Sequence, residues 1–160
     1  MLHIPAKAVT IMQMEKEALE PVYDFLKEQK SGDIFIQPEE KEIERYIYES
    51  KNPIVLLPLV SKSPVQKVNK VTTTTLEKLI VDLYSDKKLF TTFQGSELVH
   101  IVNNSYNRYA IDFTKLFHYA KRRRKDLELK QFFNDNTDIP KNILNDWRKN
   151  TFSRLDCWKM

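Results

Sequence analysis

The chain has 160 residues, of which 41% are hydrophobic and 30% charged, with a net charge of +4 and a pI near 9.0. That length implies one domain able to bury a core without staples, and the single cysteine, Cys157, excludes an internal disulfide framework and a multi-cysteine metal site. No apolar run approaches the ~20 residues of a membrane helix and no signal pattern opens the chain, so the expected compartment is a reducing cytoplasm with no membrane contact.

In chain order, residues 8–12 form a short β-branched run that predicts a first strand. Residues 15–29 predict a helix with Leu19, Val22, Phe25 and Leu26 inward and Pro21 in its first turn, where a missing N–H is tolerated. A second strand is expected at residues 34–36. A charged helix is expected over residues 39–49, burying Ile43, Tyr46 and Ile47. Residues 54–60 are continuously apolar, the pattern of a strand covered on both faces, with Pro58 at its end or at an edge. The alternation predicts an α/β class: a small, mostly parallel three-stranded sheet flanked by helices, followed by a helical C-terminal half. A loop or ragged strand over residues 61–67 leads into Thr72, Thr73, Thr74 and Thr75.

The organising helix comes next. Thr74 and Glu77 have capping-box spacing, and Leu76, Leu79, Ile80, Leu83 and Tyr84 make one apolar stripe. Ser96 is then expected to cap a helix with Leu98, Ile101, Val102 and Tyr109 on one side, with Asn103 and Asn104 as its candidate interruption. Asp112 is expected to cap a helix with Phe113, Leu116, Phe117, Ala120 and Leu127 as its core face. A last short helix after Pro140 uses Ile143, Leu144 and Trp147. The whole reads as a single domain, with an α/β portion over residues 8–70, a helical portion over 71–150 and a tail over 151–160.

Chemistry-bearing patterns are sparse. Only Gly32 and Gly95 occur, which argues against glycine-rich phosphate loops. His3, His100 and His118 lie far apart, and none has a second His or Cys at metal-ligand spacing. Glu28/Lys30, Glu39/Lys41 and Glu49/Lys51 each match the Glu-x-Lys of metal-dependent nucleases. All three fall on predicted helices or their ends, where a solvated face of ion pairs is the simpler reading. The best site-like feature is Lys121, Arg122, Arg123, Arg124 and Lys125. On a helix, neighbours sit ~100° apart, so at least one of these cations, Arg123 or Arg124, must approach the apolar side. The others form a positive ridge for phosphates, for an acidic partner surface, or for solvent alone. No base-reading motif accompanies the cluster, so any DNA contact is expected to be backbone-directed.

Thr75-Leu76-Glu77-Lys78-Leu79-Ile80-Val81-Asp82 resembles the "pERTLvD" signature of AbiEi-type antitoxins. Leu116, Tyr119, Ala120 and Arg122 resemble that family's "L-x-x-Y-A-x-R" helix. The resemblance covers roughly residues 54–130. It implies a non-catalytic antitoxin and transcriptional regulator of a bacterial phage-defence system, encoded beside a nucleotidyltransferase toxin that it counteracts, with no cofactor. In that family a winged helix precedes the effector domain, and too few residues precede Ala8 to form one, for which ~50 are needed. Lys78 also replaces the usual Arg, keeping charge but losing the bidentate fork. The alternatives are a divergent metal-dependent nuclease and a non-specific DNA-backbone-binding domain.

Overall fold

A computed structural model describes residues 9–146, which divide into two compact units on either side of the Leu59–Val60 boundary. In the first unit, β1 (Thr10–Met14), β2 (Ile34–Ile36) and β3 (Ile54–Pro58) form a parallel sheet in the order β1-β3-β2. Val55 of β3 stands opposite Ile11 on one side and Phe35 on the other. Val55 and Leu56 point to opposite faces, and both are fully buried. This is the reason for the unbroken apolar run: the central strand is covered on both sides. Pro58 ends β3, and Val60 lies beyond it.

α1 (Leu19–Glu28) follows a short 3-10 turn and carries Pro21 in its first turn. Leu19 is buried, but Phe25, expected inward, is exposed. α2 begins at Glu40 and changes after one turn into a π-helix over Ile43–Ile47. The wider π winding keeps Ile43 and Ile47 on the buried side and swings Tyr46 into solvent, correcting the expected three-residue stripe. Gly32 has a backbone φ of +120°, and a Cβ there would meet the Asn52 carbonyl oxygen at 2.8 Å, so only glycine fits.

The second unit opens with a feature the sequence reading did not identify. β4 (Val65–Val68) and β5 (Val71–Thr74) form an antiparallel ribbon where a loop or ragged strand was expected before the threonine run. Asn69 and Lys70 connect them with φ of 49° and 67°, the two left-handed residues of a tight hairpin turn. The usual Asn-Gly signal is absent because lysine occupies the second position.

α3 (Leu76–Ser85) follows directly and packs against α4 (Ser96–Arg108) and α5 (Phe113–Arg122). Its cap is Thr75, whose side chain accepts from the Lys78 N–H, so the Thr74/Glu77 capping box does not form. The helix is buried on most of its surface. Ile80, Val81, Leu83 and Tyr84 are core, while Leu79 of the expected stripe is partly exposed. α4 is capped by Gly95, not Ser96, and runs through Asn103 and Asn104. Leu98 and Val102 are buried, but Tyr109 lies outside the helix and is exposed.

Asp112 caps α5 as expected, accepting from the Lys115 N–H at 3.0 Å. α5 stops at Arg122, and a separate α6 (Asp126–Asn136) buries Leu129 and Phe133. Leu127 therefore does not join the α5 face and is 79% exposed. α7 (Lys141–Asn145) follows Pro140 and buries Leu144, while Trp147 and the tail lie outside the described residues. Phe117 joins the α5 and α6 aromatics, with ring centroids 6.4 Å from Phe113 and 6.2 Å from Phe133.

Candidate nucleic-acid interface

The basic cluster is not a helical ridge. Arg123 is the C-cap of α5, Arg124 has φ of 56°, and Lys125 is the N-cap of α6. The Arg124 N–H donates to the Lys121 carbonyl at 3.0 Å and the Lys125 N–H to the Ala120 carbonyl at 2.9 Å. That pair of bonds is a Schellman cap, with an arginine at the left-handed position that usually takes glycine. The turn separates the five cations: Lys121, Arg122 and Arg124 are exposed, Lys125 pairs with Glu128 at 2.9 Å, and Arg123 turns inward.

Of the two cations expected to approach the apolar side, Arg123 or Arg124, it is Arg123 that does so, but its head does not stay in water as expected. Instead its guanidinium enters a polar network between α3 and α5. It donates to Asp86 at 2.6 Å and lies 3.5 Å from Asp82. Lys78, 1% exposed, pairs with Asp82, itself 6% exposed, one helical turn further along α3. The Tyr119 hydroxyl donates to the second Asp82 oxygen at 2.7 Å, and the Lys78 ammonium sits 5.3 Å from the Tyr119 ring centre. The Asp82 carboxylate is thereby satisfied by three groups, as a charge this deep requires.

Electrostatics follow from that burial. Burial and the Asp82 charge push the Tyr119 phenol well above its ordinary pKa. Burial alone lowers the Arg123 guanidinium, but Asp86 and Asp82 raise it above its usual value. Burial raises the Asp86 carboxyl against the opposing pull of Arg123. Because folded Tyr119 keeps its proton where the unfolded residue loses it, stability falls as pH rises past about 10. Tyr119→Phe should cost about 1.5–3 kcal/mol near neutrality, the worth of a hydrogen bond to a charged group. It should also flatten the alkaline decline; thermal melts of both proteins between pH 8 and 11 measure this.

The residues of the two family-like motifs meet here. Glu77 accepts the Asp112 N–H at 3.0 Å, so the start of α5 is tied to the start of α3. Arg123 ties the end of α5 to Asp82 and Asp86 near the end of α3. Leu116 and Ala120 are fully buried between these ties, Leu76 is half-buried, and Thr75 caps the helix. This clamp sets the roll of α5 and leaves Lys115, His118 and Arg122, at i, i+3 and i+7, facing outward.

An open cleft of about 890 Å³ lies on that outward side. Its lining includes Lys62, Lys115, Lys121, Arg122 and Arg124, together with Ser61 and His118, and contains no carboxylate. Lys115 also reaches Asp112 at 3.3 Å in an exposed pair, and Arg122 bonds the Ser61 hydroxyl. Lys62, like Arg124, holds a left-handed backbone, with φ of 59°. Two of the cleft's cations thus occupy conformations that cost about 1–2 kcal/mol for a residue with a Cβ, a kind of strain that clusters at binding sites.

Of the other sequence-predicted candidates, His100 is exposed on α4, and His3 and Cys157 lie outside the described residues. Glu28 ends α1, Glu39 and Lys41 begin α2, and Glu49 follows the π-helix, so no Glu-x-Lys pair stands on a strand. Among the described residues, no three His, Cys, Asp or Glu side chains are grouped to hold a metal, and no helix is long and apolar enough to cross a membrane. The first unit has a smaller cleft of about 480 Å³ lined by Tyr23, Lys27, Asp33, Tyr46 and Glu49, of mixed charge.

The cleft's membership was only partly readable in advance. Lys62 and Lys115 carried no local signal, because only the fold brings residues 61–64 beside α5. A family model described as "Family of unknown function (DUF6577)" matches residues 1–139. No curated protein and no solved structure matches the chain.

Proposed function

The chain belongs to the family of unknown function DUF6577, and we propose that it acts by binding rather than by catalysis, laying the basic cleft of its second unit along the phosphate backbone of DNA. The observation that carries this is a lining of five cations, with no carboxylate among them, on a face held in place by a buried clamp. Lys and Arg placed in that way neutralise phosphates and release condensed counterions. Fluorescence anisotropy with a labelled 30-base-pair duplex tests it. The slope of log affinity against log salt should be about −4.5, near 0.9 for each of five phosphate contacts. Binding that is absent, or indifferent to salt between 50 and 200 mM, removes the proposal.

The biological setting we propose is an antitoxin-like regulator of the AbiE type that counteracts a nucleotidyltransferase toxin encoded nearby. What favours it is that the residues of both family-like segments converge on one structural element, the Lys78–Asp82–Tyr119 core of the clamp. Co-expression with the product of an adjacent nucleotidyltransferase gene should relieve growth arrest. Arrest that persists, or a gene with no such neighbour, counts against this setting while leaving the DNA reading intact.

A further inference from the structure

The β4–β5 ribbon is the part of the second unit that its core does not explain. None of its residues belongs to the hydrophobic core cluster, and all of β4 is exposed. Val68 and Val71, directly opposite each other, are 50% and 66% exposed. A two-stranded ribbon with so little packing is marginal by itself, so a bound partner is the natural source of its order.

Charge identifies the occupant. Residues 50–76 contain no Asp or Glu, while Lys62, Lys67 and Lys70 lie along the ribbon and its approach. Size agrees. Four residues per strand at about 3.4 Å each make a ribbon of about 14 Å, and two paired strands are about 5 Å apart. The B-DNA major groove, about 12 Å wide, admits such a ribbon, whereas the deep, narrow major groove of A-form RNA does not. The chain runs from the cleft wall at Ser61, Lys62 and Pro64 straight into β4 at Val65, so ribbon and cleft are neighbours along the backbone.

We propose that this ribbon enters the major groove of duplex DNA and reads base edges while the adjoining cleft holds the phosphates. The inference rests on the cleft being a backbone-binding surface and adds a source of sequence preference to it. The alternation of the strands sorts the side chains. Val65, Lys67, Thr72 and Thr74 share one face; Gln66, Val68, Val71 and Thr73 share the other. Gln66 is committed to its own ribbon, its amide donating to the Thr74 carbonyl at 3.1 Å. Lys67 and Thr72, paired across the strands, form the reading face. A lysine there suits guanine O6 and N7, and a threonine offers a hydroxyl and a methyl for the thymine methyl. At about 3.4 Å per base pair the ribbon spans about four base pairs.

The test is selection of bound duplexes from a library with a randomised centre, followed by affinity measurement on the selected and a scrambled duplex. The wild-type chain should enrich a short guanine-containing motif. Lys67→Ala/Thr72→Ala should reduce the preference for the selected duplex by about tenfold or more while leaving substantial, salt-sensitive binding to the scrambled one. Lys67→Gln, which retains a long polar side chain, should move the preferred base from guanine towards adenine. Circular-dichroism melts check that both exposed variants fold. Backbone binding with no enriched motif, or a preference untouched by the Lys67 and Thr72 changes, overturns the ribbon's role and leaves the cleft reading standing. Loss of self-association or of partner capture on Val68→Thr/Val71→Thr, with base preference unchanged in all variants, also overturns it by assigning the ribbon to protein contact. No DNA binding by any variant or by the wild type ends both readings.

Discussion

Asp82→Ala is expected to lower the stability of the second unit by about 3–5 kcal/mol, the loss seen when one partner of a buried ion pair is removed. For a domain of about 100 residues this corresponds to a fall in melting temperature of roughly 15 °C or more. The reason lies in what the substitution leaves behind. Lys78 is sealed between α3 and α5 with the Asp82 carboxylate gone, the Tyr119 hydroxyl loses its acceptor, and Arg123 retains Asp86 alone. Chemical denaturation monitored by circular dichroism measures the change. The triple replacement Lys78→Met/Asp82→Leu/Tyr119→Phe should recover much of the loss, because it removes the charges together and fills the same space. A triple variant as unstable as Asp82→Ala would show that the polar network itself, and not the cost of leaving Lys78 buried without Asp82, supplies the stability.

Arg122→Ala combined with Arg124→Gly is expected to weaken duplex binding by on the order of tenfold per lost phosphate contact near 0.1 M salt, and to reduce the salt slope by about 1.8. Stability should move the other way. Arg124 has φ of 56° in a Schellman cap, where glycine relieves the steric cost of a Cβ. A variant that binds worse yet melts at the same or a higher temperature separates the ligand-facing role of this turn from any structural one. Equal affinity and an unchanged slope would place the DNA surface elsewhere.

Lys125 and Arg123 are unsuited to that comparison. Lys125 is held by Glu128 and Arg123 by Asp86, so truncating either disturbs the packing of α6 or α3 before it reports on a ligand. The five cations that are consecutive in the chain thus divide by geometry into three that face solvent and two engaged within the protein.

The three-strand parallel sheet was legible because its code is local. Short β-branched runs separated by helical periods specify it, and the unbroken apolar run at Val55 and Leu56 marks the strand with two covered faces. The α5 cap at Asp112 was legible for the same reason. The errors have a common cause as well. Tyr46 and Leu127 were placed by extending a regular α-helical period through a π segment and through a helix end. Neither break carries a glycine or proline to announce it. The Asn69-Lys70 hairpin escaped notice because a lysine took the left-handed position.

By itself, then, the sequence determined the class of fold, the order of its main elements and the presence of a concentrated positive charge, since composition and short-range periodicity dictate these. It could not determine which charges would be spent inside the molecule. Helical spacing left either Arg123 or Arg124 as the inward cation and left Lys78 and Asp82 open between core and surface, and their burial follows only when α3 and α5 meet and each charge finds its counter-ion. The same meeting decided which cations remain outside, because clamping both ends of α5 fixes its roll and turns Lys115, His118 and Arg122 towards Lys62 across the cleft.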